Sequence, residues 1–176
     1  MKFTETTLGG AYVVEAEPAE DERGFFVRNF CRDEFAALGL DARVAQTSTS
    51  FNRLRGTLRG LHYQTDPFPE AKLVRCTAGR VFDVIVDLRR ASETYGRWFG
   101  VELSAANRRS LYVPHHFAHG FQTLTDGAEV FYQISEFYHP ECARGLRWDD
   151  PALGVEWPLE VSIISERDRT FPDFAR

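Results

Sequence analysis

The sequence predicts an all-β fold, an antiparallel sandwich or barrel with a few short helices. Three observations carry this. Short apolar-rich runs recur along most of the chain. Turn residues rather than helical stretches separate them. Only one segment has helix-like spacing. At 176 residues, the chain suits a single domain, 1–176, with one sizeable core. An apolar fraction of 43% sets it apart from disordered sequences. The 15 Phe favour strands and ligand-facing surfaces, although most such rings pack in cores.

In chain order, residues 11–16 (AYVVEA) and 24–30 (GFFVRNF) read as strands bounded by charged turns. Residues 32–38 carry the helix-like pattern, with the acid Asp33 early in it. Residues 73–76, 81–88, 98–103 and 110–113 follow as strands, punctuated by Gly79, 92–96 and 105–107. Residues 120–124 and 129–137 complete the set. The segment 148–176, rich in Asp, Pro and Trp, reads as loop with short helical turns.

The net charge of −5 offers no basic field for nucleic acid, so an anionic ligand must be held by locally placed Arg and Lys. No apolar run approaches the ~20 residues of a membrane helix, and residues 1–10 lack a signal-peptide pattern. Cys31, Cys76 and Cys142 lack CxxC spacing and are expected to be reduced, buried thiols of a cytoplasmic protein.

The chemistry concentrates in the run GTLRGLHYQ, residues 56–64. Gly56, His62 and Gln64 match the first half of a cupin metal motif, in which His-x-His is followed by Glu and then Gly. Here Gln64 replaces the second histidine, Lys72 falls at the Glu position, and Gly79 closes the motif. An ammonium repels a divalent ion, so no metal site is expected. The second half, residues 114–119 (PHHFAH), keeps a histidine but cannot supply a full ligand set. An isolated His62 would read as a satisfied core histidine. Its company with Arg59, Gln64 and Lys72 favours acid–base chemistry instead.

Further runs carry a resemblance to a known family. Residues 23–26 (RGFF), 58–64 (LRGLHYQ), 72–76 (KLVRC), 81–84 (VFDV), 117–121 (FAHGF), 131–138 (FYQISEFY) and 147–151 (RWDDP) occur in order. The chain thereby resembles dTDP-4-dehydrorhamnose 3,5-epimerases from about Val13 to Asp168. The resemblance implies a cupin-type jelly roll without cofactor, a nucleotide-diphosphate sugar as substrate, and a homodimer with exchanged N-terminal strands. It makes His62 the general base, oriented by Asp168, and Tyr132 the acid on the opposite face. Lys72 becomes the group that stabilises the enolate. Arg23 and Arg59 match diphosphate contacts, Phe26 a base-stacking ring, Gln46 a nucleotide contact and Tyr138 a pocket residue, and Ser48 occupies a position on the nucleotide side. His119 and Arg167 join the substrate-binding set.

The reaction accounts for these residue types independently. A proton beside a ketone is acidic because the resulting anion delocalises onto oxygen, where an ammonium stabilises it. Inversion needs a base on one face and an acid on the other. Imidazole suits the first role and a protonated phenol the second. A carboxylate on the other ring nitrogen fixes the tautomer. Asp83, within an apolar strand, needs a partner; it is expected to pair with His62 or Lys72, or to support one of them. His115 and His116 read as loop residues.

Where the family pattern has Glu and Asn, this chain has Arg28 and Ser48, which opens another nucleotide such as CDP. Phe137 stands where Tyr is common. A single-centre epimerase uses the same residues. A metal-dependent cupin oxygenase and a non-catalytic sugar-binding cupin are the readings from other classes.

Overall fold

The structure, a computed structural model, describes residues 1–174; the last two residues of the expected C-terminal loop lie outside the described residues. The chain runs through β1 (Lys2–Glu5), β2 (Tyr12–Glu15), β3 (Ala19–Asp21), β4 (Gly24–Phe26) and α1 (Arg32–Ala37). It continues through β5 (Gln46–Asn52), β6 (Thr57–Gln64), β7 (Lys72–Ala78), β8 (Arg80–Asp87) and β9 (Trp98–Ser104). Then come β10 (Arg109–Val113), β11 (Phe117–Thr123), β12 (Ala128–Ile134), β13 (Ala143–Gly145), β14 (Ile163–Ile164) and α2 (Glu166–Arg169). One sheet has the order β1-β2-β10-β7-β12-β5 and the other β13-β6-β11-β8-β9, with β14 added in parallel to β6. Neighbouring strands in each of these two orders pair antiparallel, and β3 and β4 form a separate hairpin. This is the cupin-type jelly roll expected from the motif.

The two sheets face each other across a core of Val74, Leu111 and Val130 against Val81, Ile85 and Phe121. β8 is buried on both faces. Val81 and Ile85 point into that core, whereas Val84 and Val86 pack outward against Leu146, Leu153 and Phe174 of the C-terminal segment. Its nearly continuous apolar run is the mark of such a strand. α1 covers the first sheet through Phe35, packed with Val14, Leu73 and Tyr112.

Several boundaries differ from the expectation. The strand expected at 24–30 ends at Phe26, because Phe30 turns away to pack on Phe35, 5.1 Å between ring centroids. The strand expected at 129–137 ends at Ile134, where the Ser135 hydroxyl takes over as acceptor for the Ala71 amide. Strands β1, β3 and β5 escape apolar patterning because they are largely exposed or polar. Cys31 is half-buried at the start of α1, not buried as expected; Cys76 and Cys142 are buried, and all three are free thiols.

Candidate active site

At one end of the sandwich the core gives way to a cleft of about 310 Å³. β5, β7 and β12 form one wall, and β6 and β11 the other. Side chains alternate along a strand, so Gln46, Ser48 and Ser50 of β5 share the cleft-facing side. That explains a strand too polar to be recognised by apolar content.

β6 supplies both Arg59 and His62, three residues apart, a spacing that in a regular strand would put them on opposite faces. A bulge resolves the conflict. His119 of β11 pairs with His62, and Phe121, two residues on, pairs with Arg59. The extra residue is absorbed around Gly60, whose φ of 129° suits glycine. Gly60 also presses against β11: a Cβ there would sit 2.5 Å from the Gly120 Cα.

The same bulge anchors Asp168. The Gly60 amide donates to one Asp168 carboxylate oxygen at 3.1 Å, and His62 Nε2 meets the other at 2.7 Å. Asp168 lies in α2, whose first turn is fixed by the Ser165 hydroxyl accepting the Asp168 amide at 3.0 Å. Burial pushes the Asp168 carboxyl upward, but the bonds from His62, Gly60 and Ser165 outweigh it and hold the group below its ordinary value. The result is a buried, charged carboxylate behind a histidine whose side chain is 42% exposed to the cleft.

Tyr132 faces this pair from the first sheet, flanked by Ser48 of β5 and Val74 of β7. Among the described residues its hydroxyl has no protein hydrogen-bond partner. Burial, then the nearby Asp83 charge, push its ionisation well above that of a free tyrosine, with Arg59 opposing. Tyr132 thus remains a protonated donor. Its ring stands edge-on to His119, 5.9 Å between centroids.

Asp83 pairs with neither His62 nor Lys72, contrary to expectation. Both its oxygens lie 2.9 Å from His119 Nε2. The register explains this: Asp83 is directly opposite Phe121, so His119, two residues away on β11, is its same-face diagonal neighbour. Lys72 instead contacts the Glu70 carboxylate at 2.9 Å and donates to the His62 carbonyl at 3.3 Å.

Gln64 is committed to the loops. Its amide nitrogen donates to the Phe68 and Phe137 carbonyls at 3.0 Å each, and its oxygen accepts the His139 amide at 2.6 Å. With that position occupied and Lys72 at the Glu position, the donors do not fit a cupin metal. Among the described residues, no group of three His, Cys, Asp or Glu is placed to hold one.

Arg59, His119, Tyr138 and Arg167 line the cleft together with Gln46 and Ser48. The Arg59 Nε donates to Asn52 at 2.7 Å, leaving its terminal nitrogens for a ligand. Arg23 and Phe26 do not line it; they sit on the exposed β3–β4 hairpin, with Phe26 79% exposed. Arg28 is also outside, in contact with Glu34 at 3.5 Å. Glu70, Ser50, Tyr63 and Arg144 line the cleft although sequence reasoning passed over them. For Glu70 the available signal was its two-residue offset from Lys72, which places both on one side of an extended segment.

A jelly roll that holds a His–Asp pair on one wall, a phenol on the other and an ammonium in the same cleft suits an isomerase that moves protons on carbon. The comparisons specify which. Residues 5–176 match the family model described as dTDP-4-dehydrorhamnose 3,5-epimerase. A curated relative of that name from Methanothermobacter thermautotrophicus is 48% identical over 97% of this chain and 93% of its own. The crystal structure of the Elizabethkingia anophelis enzyme is similar with a TM-score of 0.96 at 41% identity, covering 99% of this chain and 96% of that one. The Bacillus anthracis enzyme, solved with TDP and PPi bound, gives 0.95 at 38% identity, covering 98% and 99%. The chain belongs to the dTDP-4-dehydrorhamnose 3,5-epimerase family.

Proposed function

We propose that this chain epimerises C3 and C5 of dTDP-4-dehydro-6-deoxy-D-glucose, giving dTDP-4-dehydro-L-rhamnose. The observation that carries this is the 2.7 Å His62–Asp168 pair facing Tyr132 across one cleft. His62 removes the proton beside the C4 ketone, and the electron pair moves onto the ketone oxygen. Asp168 stabilises the imidazolium that forms. Lys72 donates a hydrogen bond to the enolate oxygen. The Tyr132 hydroxyl returns a proton to the carbon from the other side, so the configuration inverts. Solvent then restores both groups, and the same set serves the second carbon. His119, fixed by Asp83, packs on Tyr132 and holds its orientation.

Arg59 and Arg167 take the diphosphate, with Gln46, Ser48 and Tyr138 toward the nucleoside. The family membership and the TDP bound to the B. anthracis relative support thymidine. Arg28, outside the cleft, gives no contrary nucleotide contact within this chain. The exposed β3–β4 hairpin supports a homodimer in which exchanged N-terminal strands carry Arg23 and Phe26 into the partner's cleft. The three free thiols support a cytoplasmic setting.

The test is a panel of dTDP-, CDP-, UDP- and GDP-linked 4-keto-6-deoxyglucose in D2O, read by NMR. Deuterium is expected at both C3 and C5 of the dTDP sugar, well ahead of the others. Label at one carbon only, or a preference for CDP, would overturn the corresponding part of the proposal.

A further inference from the structure

An acid in this cleft has no part in the scheme above. The cleft presents Arg59, Lys72, Arg144 and Arg167, a cationic lining suited to a nucleotide diphosphate. Among the described residues lining it, Glu70 is the one carboxylate. Such a charge repels both the diphosphate and the enolate. Its contact explains its presence: Glu70 Oε1 lies 2.9 Å from Lys72 Nζ, with the two side chains 11% and 8% exposed. A pair so far withdrawn from water is held by its opposite charges and is costly to break from one side.

An ammonium has three N–H donors and three freely rotating positions. The His62 carbonyl, at 3.3 Å, accepts one, and the Glu70 carboxylate, 2.9 Å from Nζ, holds the ammonium by charge. Fixed from two sides, the ammonium keeps its remaining N–H groups for the cleft. The His62 carbonyl contact also ties the ammonium to the strand that carries the base.

We infer that Glu70 is a positioning residue for the epimerisation: it clamps Lys72 so that a free N–H of the ammonium points at the enolate oxygen. This rests on the proposed role of Lys72. Glu70 itself touches neither the reacting carbons nor the ketone. Because the enolate oxygen carries its full charge only after proton abstraction, the clamp acts on the chemical step more than on substrate binding.

The test compares Glu70→Ala, Glu70→Gln and Glu70→Asp in the full-length protein with dTDP-4-dehydro-6-deoxy-D-glucose. Loss of the clamp in Glu70→Ala is expected to lower kcat by about 30-fold with KM changed by less than about threefold. Glu70→Gln keeps an oxygen acceptor at the same reach and is expected to recover to within about fivefold of wild type. The kinetic isotope effect with substrate deuterated at C5 should rise in Glu70→Ala, as proton abstraction becomes fully rate-limiting. Should Glu70→Ala not fold, Glu70→Asp, one methylene too short for the contact, should give the same kcat loss. A Glu70→Ala or Glu70→Asp enzyme with kcat within twofold of wild type would overturn the inference, as would a loss confined to KM or to Tm. A wild-type protein that exchanges no deuterium into the sugar would refute the epimerase reading itself, a result separable from any behaviour of the variants.

Discussion

His62 illustrates how much a neighbour decides. Alone in a strand it would read as a packed histidine; beside a buried carboxylate at 2.7 Å and open to a cleft, it is placed as the proposed base requires. Its partner was visible in the sequence only through family resemblance, because Asp168 sits in a charged run, 106 residues away, that looks like solvated surface. The Asp83 partner is hidden in the sequence for a related reason. Sequence shows that a buried carboxylate needs a partner, but strand register decides that it is His119. Asp168→Asn should leave the fold intact while presenting an amide N–H or a neutral oxygen to His62. The expected loss in kcat is about 10²- to 10⁴-fold, by analogy with other His–Asp pairs. The stability effect has a defined sign. The folded-state carboxyl is held below its unfolded value, so the pair stabilises above an ordinary carboxylate pKa of ~3.9 and ceases to as pH falls through the folded value. Thermal melts of Asp168→Asn should therefore fall below wild type at pH 7 and converge with it in strong acid; a constant gap would contradict this.

At the scale of elements, apolar runs were informative where strands are buried and silent where they line the cleft. β8 was evident because both its faces are apolar contacts. β5 was missed because one face is built from Gln46, Ser48 and Ser50 for a polar ligand and the other is exposed. β6 holds the most consequential irregularity. Its bulge brings Arg59 and His62 onto one face and offers the Gly60 amide to Asp168. The GTLRGLHYQ run carried the glycine, but no periodicity in the sequence announces a phase change. Gly60→Ala would force a Cβ into the Gly120 backbone at a φ of 129°. That substitution is expected to cost about 2 kcal/mol or more in stability, read by urea unfolding, and to reduce turnover in the molecules that still fold. A variant as stable and active as wild type would show that the bulge is not required.

For the whole molecule, the jelly roll explains why one end of a hydrophobic sandwich can hold so many charged groups. Phe121, Val130 and their neighbours are buried in the middle, and the cleft opens between β5, β7 and β12 on one side and β6 and β11 on the other. The fold class was readable from strand density alone. The hairpin of β3 and β4 leaves Phe25 and Phe26 51% and 79% exposed, the apolar surface that the proposed homodimer would cover. Sedimentation should accordingly give twice the 20.1 kDa mass of the chain. Arg23→Ala should raise KM by about tenfold with little change in kcat, as expected for a lost phosphate contact. A monomer with full activity would remove the hairpin from the site.

The central claim is that His62 and Tyr132 act on opposite faces of one enolate. It is tested most directly by following deuterium from D2O into dTDP-4-dehydro-6-deoxy-D-glucose with wild type, His62→Ala and Tyr132→Phe. Rapid labelling with inversion at C3 and C5 is expected for wild type, and loss of exchange at both carbons for His62→Ala. For Tyr132→Phe, proton abstraction without efficient inversion is expected. Undiminished exchange in His62→Ala, or full inversion in Tyr132→Phe, would contradict it.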